Sequence, residues 1–475
     1  MVKSIAHFKS LLFLFILIAG CKNQEETLYD IVLKNGSVID LETGSISRQT
    51  IGITDGVIME LKSTTTNVPL KAKLEIDVEG KYLLPGFWDN HVHFRGGDSL
   101  IGANKKFLKL FMANGITTVR DAGGDLTTSV MAWKSSITEG TLVGPTIFTS
   151  GPKIDGKGAT WAGSLEVENE EEIRKALDSL EQIPVDFVKL YDSRISGKNY
   201  LNTIGEAEKR GLITSGHMPF TVTLEETIDA GIDTIEHLYY IMKGCASNEV
   251  YVTNKMKSGE IGFWDAMPLL MESYSDTTAT NTFTTLKKNN VYVVPTLHIG
   301  KTLSYLDENN HTKDPYLKYM TPGIIKTYEG RINRVKNSKP EAIANRKQLD
   351  TFFGSLAKSL SDAGVGLLAG SDCGAYNSYT YPGVSLHKEL QEMVTIGISP
   401  LEALRTSAYN GAKFLKKDAN YGTLKKGKVA DIVVLDGNPL EQINNTEKIH
   451  YLIKNNNAYS AVALKALLKS ALIVD

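Results

Sequence analysis

Cysteine is scarce in this chain: three in 475 residues, at positions 21, 245 and 373. Cys21 stands apart at the head of the chain. The other two are too far apart in sequence to form a disulfide framework, so a disulfide-stapled fold is excluded. Cys373 is expected to be a small buried hydrophobe. Charge imbalance is lacking too. The formal net charge is −2 and no polybasic cluster occurs, which leaves no field for attracting nucleic acid or anionic lipid. Nucleic-acid binding is therefore set aside. Solenoid repeats and low-complexity segments are also missing. What remains is ordinary globular composition, 42% apolar and 22% charged, over a length that suits one large α/β domain with an appendage or three small domains.

The first residues have a character of their own. Lys3 and Lys9 precede the uncharged run SLLFLFILIAG, which leads into Cys21. The run is too short to span a bilayer comfortably, but it suits the apolar core of a secretory signal. LIAGC resembles the bacterial lipobox, whose cysteine is lipidated and becomes the new N-terminus. The expectation is a lipoprotein signal over residues 1–21, a lipid anchor on Cys21 and a short tether, KNQEETLYD. The protein would then be exported and held to a bacterial membrane. Lys22 stands where many inner-membrane lipoproteins carry aspartate, which points to the outer membrane where there are two.

Residues 28–82 are short β-type runs with turn signals, and Asn35-Gly36 and Asp55-Gly56 are expected to be hairpin turns. The far end reads the same way, in YGTLKKGKVADIVVLDGNP and KIHYLIKNNNAYS. These flanks, residues 28–82 and 416–475, are expected to form one small β-sandwich. Between them, residues 83–415 carry eight apolar runs that end in polar or glycine residues and alternate with helical stretches. That rhythm is the signature of a parallel (β/α)8 barrel. The fold class is therefore α/β, a TIM-like barrel with a composite sandwich. Ser399-Pro400 is a good N-cap and first-turn pair for a closing helix. Residues 241–290 and 300–360 exceed a minimal βα connection. They are expected to be insertions at the barrel mouth, either setting specificity or packing as decoration.

The first barrel run, LLPGFWDNHVHFRGG, carries His91 and His93. In a strand, residues two apart share a face, so the two imidazoles project side by side. Two histidines on a surface strand would look the same, and the other strand ends must decide. In such a barrel the chemistry sits at the C-terminal ends of the strands. The polar residues there are His91, His93, Lys189, His217, His237 and Asp372. Four of the chain's nine histidines thus lie where a metal site needs them. Lys189 has a plainer alternative, a lysine snorkelling from the barrel edge. Tyr191 and Tyr239 each lie two residues beyond a ligand candidate, so alternation points them at the pocket. His298 ends the seventh run.

The ordered set DNHVHF, VKLY, GHM, IEH and GSDCG, with its flanking β-segments, resembles the amidohydrolase superfamily over nearly all of the mature chain. The resemblance implies hydrolysis of an amide bond by hydroxide held between two divalent ions, with zinc the expected metal. His91, His93 and Asp372 would hold one ion, His217 and His237 the other, and Lys189 would bridge them as a carbamate. A lysine ammonium has no lone pair, so only carboxylation makes it a ligand. Asp372 would also take a proton from the attacking water and pass it to the leaving amine. If Lys189 is unmodified, a one-metal site on His91, His93, His217 and Asp372 remains.

TSGPKIDG, VKLY, IEH and VPTL look most like the branch holding imidazolonepropionase, prolidase-type dipeptidases and lysine/arginine carboxypeptidases. Peptidases of that branch often carry Gly-Gly-His after the third strand. This chain reads GKGATWAG, with Trp161, and Leu238 rather than glycine follows IEH. The substrate class therefore stays open among dipeptides, N-acyl amino acids and cyclic amides. Trp161, Tyr191, Tyr239 and His298 are the candidates for touching it. Two other possibilities stand beside this one: an imidazolonepropionase-like enzyme with one metal, and a non-catalytic surface lipoprotein that binds a ligand. Homo-oligomer formation is left open.

Overall fold

The computed structural model describes residues 28–64 and 69–473. Cys21 and its signal lie outside the described residues. Five strands open the chain: β1 (Leu28–Ile39), β2 (Ile46–Thr54), β3 (Val57–Ser63), β4 (Lys71–Asp77) and β5 (Tyr82–Pro85). The Asp55-Gly56 turn forms as expected. Its φ angles of 50 and 72 are the paired positive values that a tight hairpin with right-handed strand twist needs. Asn35-Gly36 does not turn the chain. Asn35 has φ 62, yet β1 continues to pair with β2 on both sides of a register shift between Leu33 and Gly36. The left-handed residue is absorbed as a bulge within one long strand.

The run expected to be the first barrel strand is cut at Gly86. Tyr82–Pro85 pairs outward, while β6 (Phe87–Val92) begins a second sheet with β7 (Ile116–Asp121) and β8 (Thr146–Thr149), all parallel. A Cβ on Gly86 would stand 2.3 Å from Thr117, so the crossover passes too close for a side chain. A six-stranded sheet comes next, in the order β10-β9-β11-β12-β13-β14. Its strands are β9 (Ile154–Asp155), β10 (Leu165–Glu166), β11 (Val188–Leu190), β12 (Thr214–Gly216), β13 (Thr234–Glu236) and β14 (Tyr292–Val294). Every pairing in it is parallel.

The eighth run, VGLLAGSDCG, is not a regular strand. Its backbone nonetheless bonds both neighbours: Leu368 N donates to Val293 O at 2.9 Å, and Asn90 N to Ala369 O at 2.9 Å. Gly370 permits that approach, since a Cβ there would meet His91 Cβ at 2.5 Å. β6 is buried along its whole length, as a strand covered on both faces must be.

Helices fill the connections. Glu170–Glu181 starts where Asn169 accepts the Glu172 N–H, with three glutamates in its first turn to complement the dipole. Ser399 caps Pro400–Leu404 as expected, accepting the Glu402 N–H. Both long connections are helical and centre on Glu249–Lys257, Phe263–Glu272, Pro322–Lys336 and Pro340–Asp362.

The chain ends in β15 (Ile432–Leu435), β16 (Ile449–Lys454) and β17 (Asn457–Ser460). β15 pairs antiparallel with β5, so both termini enter one eight-stranded sheet, ordered β17-β16-β15-β5-β1-β2-β3 with β4 also on β1. In hydrogen-bonding terms the expected sandwich is this single sheet. β1 bonds β4 along its first half and β5 beyond the bulge. Ile31, Leu33, Ile51, Ile53, Ile432 and Val434 form its own buried cluster.

Candidate metal centre

Strand alternation sends Asp89, His91 and His93 to one side of β6. Asn90 faces the other way, donating to Ala369 O at 3.1 Å and to Thr406 O and Ser407 O at 3.2 Å. Asp89 is buried and accepts from Ser371 N at 2.9 Å and Ser371 Oγ at 2.6 Å, tying the first strand to the eighth segment. Burial pushes its carboxyl up to about 7 against those hydrogen bonds. This clamp sets Asp372 beside the histidines. Its Oδ1 lies 3.2 Å from His93 Nε2 and 3.6 Å from His91 Nε2.

The tautomers are set by the partners. His91 Nδ1 lies 2.6 Å from Glu236 Oε2, and His93 Nδ1 lies 2.8 Å from Gly123 O. Carboxylate and carbonyl oxygens only accept, so each Nδ1 carries the proton and each Nε2 presents a lone pair. Those two Nε2 atoms are 3.2 Å apart. When both rings are neutral, two lone pairs and a carboxylate oxygen converge at one buried point, an arrangement suited to a cation. Among the described residues, His91, His93 and Asp372 form the one group of three whose ligand atoms all lie within 4.8 Å of one another. Burial, with the Arg95 charge, holds His93 well below the usual imidazole range and keeps it neutral. Asp372, against the upward push of burial, is held well below the carboxylate range by His91, His93 and His237. The donor set fits a divalent metal ion.

The remaining expected ligands surround this cluster. His217 Nδ1 is 3.2 Å from Asp192 Oδ1, and His237 Nδ1 is 2.7 Å from Thr296 Oγ1. Their rings lie 4.8 Å apart, and the His91 and His237 rings 5.2 Å apart. His237 Nε2 is 4.0 Å from Asp372 Oδ2. Lys189 is wholly buried, not snorkelling. Its Nζ is 3.6 Å from Glu236 Oε1 but has no hydrogen-bond partner. Desolvation brings its amine down to about 8, with Glu236 acting in the opposite direction.

Tyr191 packs on His217 with ring centroids 4.3 Å apart, and Trp161 stands 6.3 Å from Tyr191. Tyr239 opens the helix Tyr239–Gly244 and lines a cavity of about 130 Å³ with Trp264, Arg331, Arg346 and Phe353, residues of both long connections. His298 is not brought to the cluster. It begins a helix, its N–H donates to Glu389 Oε2 at 2.7 Å, and the charges acting on it come from Lys388, Lys301 and His311. Cys373 is buried and free, as expected.

Several residues of the site carry no plain signal in the sequence. Glu236 orients His91 and accepts from Arg120 Nη2 at 2.7 Å and from Ser215 Oγ. Arg120 is buried, donates through Nε to Asn90 O at 2.5 Å, and lies over the Phe187 and Phe414 rings. A buried charge inside a strand-like run was the available signal for both. Asn377 Nδ2 donates to Asp372 Oδ1 at 2.7 Å and its Oδ1 accepts from Arg331 Nη2 at 2.7 Å. Arg95 and Lys153 complete the wall, their cations 4.2 and 5.0 Å from the Trp161 ring centroid.

Known proteins share this architecture. A putative prolidase from Bifidobacterium longum superposes with a TM-score of 0.68 at 22% identity, over 94% of this chain and 99% of that one. Ochratoxinase of Aspergillus niger is 23% identical over 419 residues, 76% of this chain and 71% of that protein. Adenine deaminase of Bacillus subtilis is 36% identical over 101 residues, which span 21% of this chain and only 15% of that protein. Residues 82–460 match the family model described as the amidohydrolase family, and the chain belongs to that family.

Proposed function

We propose that this protein hydrolyses an amide bond, in a dipeptide, an N-acyl amino acid or a cyclic amide, with two zinc ions. The observation that carries the proposal is the convergence of the His91 and His93 Nε2 atoms and an Asp372 oxygen on one buried point. His91, His93 and Asp372 would hold one ion, and His217 and His237 would hold the second. Lys189 would supply a carbamate oxygen as a further ligand, its neutral amine adding carbon dioxide to form an N–C bond and release a proton. Its burial without a hydrogen-bond partner, beside Glu236, supports that role. Bound divalent ions lower the pKa of water from 15.7 toward about 7 and polarise an amide carbonyl.

The chain's own groups do the rest. Glu236 and Gly123 fix the imidazole tautomers. Asp372 accepts the proton of the attacking water and returns it to the leaving amine, while Asn377 orients its carboxylate. Tyr191, packed on His217, and Tyr239 are the candidates for touching the substrate.

In the same proposal the eight runs of residues 83–415 close into a TIM-like barrel. The backbone bonds that join the eighth segment to β14 and β6, and Asp186 N to Thr149 O at 2.8 Å beyond β8, support closure. Residues 28–82 and 416–475 form the appended β-unit. The chain is exported and lipid-anchored through Cys21, a reading that rests on Lys3, Lys9, the run SLLFLFILIAG and the following Cys21 in the sequence.

The test is elemental analysis of purified protein together with a library of dipeptides, N-acyl amino acids and cyclic amides. Two ions per chain and chelator-sensitive amide hydrolysis are expected. Full activity in a metal-free protein would overturn the assignment. Tight ligand binding without turnover would favour a binding lipoprotein.

A further inference from the structure

Lys153 differs from most buried cations among the described residues. Lys454 pairs with Asp431 at 2.7 Å, Arg120 with Glu236 at 2.7 Å, and Lys243 with Glu249 at 3.4 Å. Lys153 is 2% exposed, and its Nζ has no hydrogen-bond partner in the protein. It lies between two aromatic walls, 5.0 Å from the Trp161 ring centroid and 5.4 Å from that of Tyr191. Tyr191 in turn packs on His217, a candidate metal ligand, with ring centroids 4.3 Å apart.

The charged groups around Lys153 make its isolation sharper. Desolvation, with the Arg95 and Lys189 charges, holds the Lys153 amine well below the usual lysine range, while Asp121 and Asp372 act the other way. Asp121 is occupied elsewhere, accepting from Thr149 Oγ1 at 2.7 Å and Phe94 N at 3.3 Å. Asp372 is occupied by the histidines and Asn377. Arg95 is better placed, since its Nε donates to Ala375 O at 2.9 Å and its guanidinium stacks on Trp161. Burial and the Arg95 charge on the same indole ring both disfavour the ammonium form of Lys153, and its Nζ has no hydrogen bond to offset the lost hydration. An anion entering beside Trp161 relieves both penalties. A neutral cyclic amide relieves neither.

We propose that Lys153 is the anion receptor of this site and that the substrate is an amide with a free carboxylate, an N-acyl amino acid or a dipeptide, whose carboxylate Lys153 binds against the Trp161 and Tyr191 rings. The inference rests on the hydrolase reading for the identity of the scissile bond and narrows its substrate class. Lys153 holds the substrate's charged end while the amide lies toward Asp372. Trp161 and Tyr191 exclude water from the ion pair, which strengthens it.

The test pairs a panel of N-acetyl-amino acids and dipeptides with their C-terminal amides, on the zinc-loaded full chain. Binding is read by tryptophan fluorescence and hydrolysis by the amine released. Wild-type protein should prefer the acids by about 10- to 100-fold, the range of one charge-assisted hydrogen bond. Lys153→Met should erase that preference, chiefly through KM, and Lys153→Arg should keep part of it. Circular dichroism and zinc content establish that each variant is folded and loaded. Amides bound and cleaved as well as acids by the wild type would overturn the receptor and leave the hydrolase standing. So would an unchanged preference in Lys153→Met. Acids bound selectively through Lys153 but never cleaved would support the receptor and sink the hydrolase. Failure of the wild type to bind any acid in the panel overturns the receptor.

Discussion

Replacing Glu236 with glutamine changes one buried atom and tests the whole frame of the site. Glu236 has no exposed surface, and its two oxygens serve His91 Nδ1 at 2.6 Å, Arg120 Nη2 at 2.7 Å and the Ser215 hydroxyl. Burial alone would raise its carboxyl, but Arg120, Lys189 and His91 hold it well below the carboxylate range, so the charge is present at neutral pH. Glutamine keeps the shape and removes that charge. Arg120, 1% exposed, is then a buried guanidinium without a counter-ion. Breaking one side of such a pair costs about 3–5 kcal/mol. The carboxamide also no longer dictates which His91 nitrogen carries the proton, and outer partners of this kind are worth about 10- to 100-fold in metal affinity. The assay is denaturant unfolding after chelation, then calorimetric zinc titration of the refolded protein. Adding Arg120→Met should restore part of the stability and none of the affinity, which separates the two effects. A Glu236→Gln protein that unfolds within about 1 kcal/mol of wild type and binds zinc as tightly would refute this reasoning.

Asp372→Asn keeps an oxygen that ligates weakly but a far poorer proton acceptor, so turnover should fall by about 10²-fold or more while zinc content falls less; near-normal turnover would remove the proton-transfer role. Lys189→Ala should lower metal content and activity together, and a small carboxylic acid in excess should restore some rate. Burial brings the Lys189 amine down to about 8 and only the neutral form adds carbon dioxide, so at constant dissolved carbon dioxide zinc loading of the stripped protein should speed up as pH rises toward about 8 and level off above it. Mass spectrometry of membrane-fraction protein should find lipid on Cys21, and Cys21→Ser should release or retain the precursor without unfolding it.

Periodicity made much of this site legible. A two-residue period forces His91 and His93 onto one face, and the polar residues at the ends of apolar runs bring together Lys189, His217, His237 and Asp372. The partners of those residues were harder to see. Glu236 sits inside the IEH run, yet its bond to His91 spans 145 positions and exists only because β6 and β13 face a common interior. Arg120 in TTVRDAGG has the same difficulty. Local signals also misled. Asn35-Gly36 has the composition of a hairpin turn, but turn residues specify a left-handed step and not the course of the chain beyond it. Pairing with β2 on both sides absorbed the step as a bulge. His298 ends an apolar run as the ligand candidates do, but the chain enters the helix Leu297–Ser304 there and its N–H is held by Glu389.

The backbone at the strand ends explains why residue types reveal the members of the site but not how they are held. His237, Thr296 and Asp372 have φ of 70, 49 and 53. Asparagine and aspartate tolerate that region, whereas histidine and β-branched threonine do so less readily, and each strained residue costs about 1–3 kcal/mol. Nothing in the propensities of His237 or Thr296 asks for it. The ladder imposes it: His237 N donates to Val294 O at 2.8 Å and Asp372 N to His91 O at 2.7 Å, fixing each residue at the last rung. From there a left-handed step turns the side chain inward, and the Thr296 hydroxyl meets His237 Nδ1. Local preference and global demand thus part company at the candidate ligands. A packed sheet can hold such strain because its neighbours over-determine the backbone, and a site that must gather lone pairs at one buried point needs that strain.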